Sequence, residues 1–213
     1  MSISRCWIWA MVAALPWVAA CNLLTPFIFL GEHKKKILPE FDKLAGHKVA
    51  VLVWTDPATL FDYPHARFEL ATYIADKLYA ETSQRKLNVD VVDSRDVEDF
   101  IQQRPDGQND PAAVARKFEA DFVIYLEVVR FQVRDPSQPQ FLQGRIDASV
   151  AVFDVRSDRR MGQRFELTPV QTIYPDKAPI LMSATNSSVV RETTYRKFAE
   201  EVARKFYEYS VDL

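Results

Sequence analysis

Residues 48–54 read Lys-Val-Ala-Val-Leu-Val-Trp, a Val-rich run that does not alternate with polar residues. Strands buried on both faces read this way, so the run predicts a strand in the middle of a sheet. A twelve-residue loop with two prolines follows. Residues 66–81 then bring Phe68, Ala71, Ile74 or Ala75, and Leu78 to one face of a predicted helix. Residues 87–92 alternate as a second strand. Ser94 can cap a short helix over 95–103 that faces Val97, Phe100 and Ile101 inward. After a loop over 104–111, residues 112–119 form another helix with Val114 and Phe118 inward. Residues 122–131 are a third apolar strand. Residues 141–155 alternate with Ile146, Ala148, Val150 and Val152 on one face, and 163–174 alternate again across a hairpin loop. Ser187 or Ser188 can cap a last helix over 189–209, where Tyr195, Phe198, Val202, Phe206 and Tyr209 recur at helical spacing. The predicted order is β-α-β-α-α-β-β-β-α. Two crossovers start the sheet in parallel and hairpins finish it, so the fold class is α/β, with one mixed sheet of about five strands.

The first 36 residues follow a different pattern. Arg5 precedes an apolar stretch over 6–15, and Val18-Ala19-Ala20 puts small residues directly ahead of Cys21. Val18-Ala19-Ala20-Cys21 resembles the lipobox of bacterial lipoproteins, in which the cysteine becomes the acylated N-terminus. That resemblance implies a signal peptide over 1–20, a lipidated tether over 21–44 and a folded domain over 45–213. The chain has two cysteines, Cys6 and Cys21. Cleavage ahead of Cys21 leaves one, which excludes an internal disulfide and a cysteine-based zinc site. The alternative is an uncleaved transmembrane helix, because residues 6–31 are uncharged and long enough to span. Pro16, Asn22 and Pro26 interrupt that helix, whereas Lys34-Lys35-Lys36 would hold its far end in the cytoplasm.

Composition narrows the function. Hydrophobic residues are 48% and charged residues 26%, as in a globular protein. The net charge of -2, with both signs interspersed, excludes the basic stripe that nucleic acid requires. With five glycines and no GxGxxG or GxxxxGK string, a Gly-rich phosphate loop is excluded too. No catalytic residue, metal ligand or cofactor is assigned.

The order of apolar motifs resembles the domain shared by the curli-export lipoprotein family (CsgG-like) and the N-terminal domain of TolB. Residues 48–53 resemble the opening VAVLPF strand. Val91-Val92-Asp93 with Val97 and Phe100-Ile101 resembles VVDR followed by L and IL, and residues 115–126 resemble the A..LGADYVIVG turn and strand. Residues 148–155 resemble the strand ending in L.DV.TG. Glu119 stands where the family has glycine, and Arg156-Ser157-Asp158 replaces its Thr-Gly turn. The resemblance covers about residues 47–165 and its motifs are structural. It implies an envelope lipoprotein that works through protein contacts.

Ligands of open α/β sheets gather outside the carboxyl ends of the strands, which selects the 54–67 segment as the candidate site. Trp54, Phe61, Tyr63 and Arg67 are residue types that anchor interfaces, and Asp56, Asp62 and His65 stand among them. Three acidic or imidazole groups within ten positions lack metal-motif spacing, and Ser183, Ser187 and Ser188 lack a nucleophile elbow. Lys34, Lys35 and Lys36 can meet anionic lipid head groups at roughly 1 kcal/mol each. The expected function is a non-enzymatic adaptor or assembly component, held by acyl chains on the periplasmic side. The expected partners are envelope proteins and no nucleic acid, with a homo-oligomer left open. Asn22 after the cysteine favours the outer over the inner membrane. The alternative is a small-molecule or peptide-binding module, or a hydrolase, using the same segment.

Overall fold

The computed structural model describes residues 34–104, 110–134, 137–156 and 162–212. In chain order the described elements are β1 (Lys34–Ile37), β2 (Lys48–Thr55), α1 (Pro57–Asp62), α2 (Ala66–Gln84), β3 (Asp90–Val91), α3 (Ser94–Gln102), α4 (Pro111–Phe118), β4 (Phe122–Arg134), β5 (Phe141–Asp154), β6 (Gln163–Tyr174), β7 (Ile180–Leu181), α5 (Ser187–Ala203), a 3-10 turn (Arg204–Phe206) and β8 (Tyr209–Asp212). They fall into two units. In one, β1 pairs antiparallel with β8, Lys34 opposite Asp212. The other, Leu38–Glu208, holds everything else.

The sheet of this larger unit runs β3-β2-β4-β5-β6, with β7 alongside β5. β2 is parallel to both β3 and β4, while β4, β5 and β6 pair antiparallel in succession. This is the mixed α/β sheet that the pattern predicts. β2 and β4 lie inside it, and the lack of alternation in residues 49–53 has a direct cause. Val49, Val51 and Val53 face one core, with Phe122, Ile124 and Leu126, beneath α2 and α5. Ala50 and Leu52 face a second core, with Val123 and Tyr125, beneath α3 and α4. β5 has the alternating form: Ile146, Ala148, Val150 and Val152 are all buried on the first face.

Several boundaries differ from expectation. The strand expected over 87–92 shrinks to Asp90–Val91, because Lys86 and Asn88 adopt positive φ and the Leu87 N–H donates to Thr82 O at 2.9 Å, closing the end of α2. The caps move back by one or two residues: Asp93 and Asn186, not Ser94 and Ser187 or Ser188, accept first-turn N–H groups of α3 and α5. The last helix stops at Ala203 rather than continuing to 209. A 3-10 turn follows, and Lys205 O accepts from the N–H groups of Glu40 and Phe41 at 2.8 and 3.0 Å, which occupies the carbonyl that a continued helix would offer to the Tyr209 N–H. Packing also reaches ahead of residue 45, since Phe41 and Leu44 belong to the first core and Glu40 pairs with the buried Lys205 at 2.8 Å.

Glu119 ends α4 at φ 53°, in the left-handed region. A side chain there costs roughly 1–2 kcal/mol, which glycine avoids at a smaller entropic cost. Glu119→Gly is therefore expected to raise stability by up to ~1 kcal/mol, readable in a denaturant titration; a drop would contradict the cap assignment.

One carboxyl on α5 makes the fold pH-sensitive. Burial pushes Glu201 above the ordinary glutamate value, although Thr172 Oγ1 donates to its Oε2 at 2.6 Å. A raised value contributes stability at pH below the unfolded-state pKa and loses it as pH rises through the folded one. Glu201→Gln should therefore gain melting temperature over wild type at pH 8 and show little difference at pH 4. An equal gain at both would place the effect elsewhere.

Candidate functional site

The 54–67 segment leaves the carboxyl end of β2. It is not the loop its two prolines suggest. Asp56-Pro57 opens α1, with proline at a position whose N–H would have no helical partner. Asp56 Oδ1 accepts from the N–H groups of Ala58 at 2.8 Å and Thr59 at 3.0 Å, and its Oδ2 accepts from Thr59 Oγ1 at 2.6 Å. The Thr59 hydroxyl first, then the backbone bonds, hold the Asp56 carboxyl below its ordinary value. A carboxylate occupied in this way is a cap and a poor proton acceptor.

Other members of the segment also serve the fold. The Trp54 side chain is half-buried against the second core. The Tyr63 N–H donates to Thr59 O at 2.8 Å, and its ring meets Phe131 edge-on with centroids 4.6 Å apart. Arg67 forms a fork with Glu98: Nε donates to Oε2 at 2.9 Å and a terminal nitrogen donates to Oε1 at 2.5 Å. With side chains 11% and 14% exposed, this pair ties α2 to α3. A paired, mostly buried arginine is spent on holding helices together.

That leaves Phe61, Asp62 and His65 at the surface. Phe61 is 86% exposed, more than any other large apolar side chain among the described residues. His65 precedes α2 and, with Pro64, Phe68, Arg95, Glu98, Asp99 and Gln102, lines a cavity of about 240 Å³. Its imidazole makes no hydrogen bond among the described residues, so no carboxylate orients it and it meets no nucleophile. Triad-type chemistry needs both. Among the described residues no group of three or more His, Cys, Asp or Glu side chains is placed to hold a metal ion.

The remaining sequence candidates lie elsewhere. Lys34, Lys35 and Lys36 form β1 and are exposed. Cys21 and the apolar stretch over 6–31 lie outside the described residues. Among those described, no helix is long and apolar enough to cross a membrane.

Sequence reasoning missed Val129, which is 71% exposed. The β4–β5 register shifts between Val128 and Arg130, and this bulge turns Val129 outward where β2 has ended at Thr55 opposite Val128. The doubled valine at 128–129 is the only trace of it in the sequence. Leu181, Met182 and Val189 are also exposed, in and after β7 and in the first turn of α5.

No family model matches the chain, and no curated protein does. Among solved structures it is similar to the PelC dodecamer from Paraburkholderia phytofirmans, at 13% identity over 82% of this chain and 98% of that one, with a TM-score of 0.46. It is also similar to the lipoprotein GNA1162 from Neisseria meningitidis, at 15% identity over 69% and 92%, with a TM-score of 0.39. A third is a minor lipoprotein from Acinetobacter baumannii, at 13% identity over 75% and 91%, with a TM-score of 0.34. Two of these three are named as lipoproteins; at such TM-scores the likenesses carry no argument about function.

Proposed function

We propose that this chain is an envelope lipoprotein, anchored through Cys21, and that it acts as a non-enzymatic adaptor or assembly component through the 54–67 segment. The anchoring half rests on Val18-Ala19-Ala20-Cys21 and the single cysteine that cleavage would leave. On this reading the domain sits on the periplasmic side, with Asn22 favouring the outer membrane and Lys34, Lys35 and Lys36 near its head groups. The likeness to the CsgG-like and TolB N-terminal domains belongs to the same proposal.

The observation that carries the contact half is Phe61. A phenylalanine 86% exposed stands on a helix fixed by the Asp56 cap at one end and by Tyr63 against Phe131 at the other. Burying such a ring in a partner gains free energy, and its rigid mounting limits the entropy lost on binding. Phe61→Ala is expected to weaken co-purification of the bound partner by roughly 1–3 kcal/mol while the melting temperature stays within a degree or two. A fall in melting temperature with no change in the complex would make Phe61 a structural residue.

A second reading uses the same segment as a small-molecule or peptide site. The cavity lined by His65, Glu98 and Asp99 favours it.

A further inference from the structure

The end of the sheet beyond β2 carries a second concavity. Tyr63, Val133, Arg134, Leu142, Ser187 and Arg191 line a cavity of about 230 Å³. Its apolar lining comes from the outer half of β4, the start of β5 and Tyr63. Its polar lining consists of two arginines and the first residue of α5.

These arginines are not spent as Arg67 is. Arg134 is exposed and has no ion-pair partner among the described residues. Arg191 forms a long ion pair with Glu69, Nε to Oε2 at 3.9 Å, which is beyond hydrogen-bond range, and this buried Nε has no hydrogen-bond partner among the described residues. Tyr195 lies one turn further along α5 and is 1% exposed, with Glu69 beside its hydroxyl. Burial first, then the charge of Glu69 and a hydrogen bond to its carboxylate, push this phenol far above its ordinary value, so it stays neutral and is spent on Glu69. A buried donor without a hydrogen-bond partner, as Arg191 Nε is, is rare and points to a missing one. The α5 N-terminus adds its dipole, and Asn186 caps only the Ser188 N–H.

Two cations and a helix N-terminus select an anion, and the planar forks of arginine suit a carboxylate. Tyr63, Val133 and Leu142 select an apolar group directly beside it. The volume lies below the roughly 300–1,000 Å³ of sites for drug-sized ligands, so it suits one residue. In a polypeptide, an apolar side chain and a carboxylate share one Cα only at the C-terminus. The backbone beside the cavity fits such a visitor. β2 stops at Thr55 opposite Val128, so from Val129 to Arg134 β4 has β5 on one side and, among the described residues, no strand on the other. An extended chain can pair there as an added strand.

We infer that this cavity captures the free C-terminal residue of a partner polypeptide, its carboxylate held by Arg134, Arg191 and the start of α5 and its apolar side chain set against Tyr63, Val133 and Leu142. This goes beyond the 54–67 reading and shares only Tyr63 with it.

The test uses the full chain in maltoside micelles, titrated with fluorescein-Gly-Ser-Ala-Leu as the free acid and as the C-terminal amide, and read by fluorescence anisotropy. The acid should bind about tenfold more tightly than the amide. Arg134→Gln and Arg191→Gln should each lower affinity for the acid about tenfold and leave the amide unchanged. Arg134 is exposed and has no ion-pair partner among the described residues, so it keeps the test valid if Arg191→Gln fails to fold. Equal binding of acid and amide would overturn the inference, as would undiminished acid binding by Arg134→Gln.

Discussion

Val51→Asp is expected to cost more than ~4 kcal/mol and to lower the melting temperature by roughly 10 °C or more. Val51 is 1% exposed and stands opposite Ile124, in the middle of the β2–β4 pair. Its cluster is built mainly from apolar residues of β2, β4, β5, α2 and α5. A carboxylate placed there is taken out of water among apolar neighbours, so it either stays protonated or forces the sheet open. Domains of this kind are stable by roughly 5–15 kcal/mol, and a loss of this size removes much of that. Thermal unfolding followed by circular dichroism reads it directly. A variant melting within a degree or two of wild type would mean that β2 is not a central strand.

Cys21→Ser is expected to have the largest effect on where the protein resides. The proposed anchor is two or more acyl chains on one sulfur and its amino group, and a single chain binds membranes only marginally. Without the thiol no acyl group can attach. Labelled palmitate should enter the native protein and not the variant. Equal labelling of the two would remove the lipoprotein reading; an intact Met1 in the membrane-bound native form would favour the uncleaved helix.

The sheet was legible because its strands differ in kind. The unbroken run at 49–53 and the alternation at 146–152 report two-sided and one-sided burial, and both strands sit where those patterns require. Elements whose existence depends on distant partners were not legible. β1 is three lysines and an isoleucine with no apolar pattern, and it is a strand because β8 pairs with it. α1 reads as a loop because Pro57 and Pro64 punctuate it, although Asp56-Pro57 is also a helix start. The segment at 54–67 was legible as a location, since the end of β2 follows from strand order. Its division of labour was not. Arg67 looks like an interface anchor until α3 brings Glu98 to it from 31 residues away. The outward turn of Val129 requires the bulge, and a bulge needs the register of two strands, which one strand's sequence does not contain.

Anchoring through Cys21 is the claim on which the location of this protein, and hence its class of partner, depends. The intact mass of the native chain, extracted from membranes with detergent, tests it most directly. The account predicts a chain that begins at Cys21 and carries the added mass of a diacylglyceryl group, with or without a further acyl chain. A membrane-extracted chain that retains Met1 and carries no lipid would contradict it.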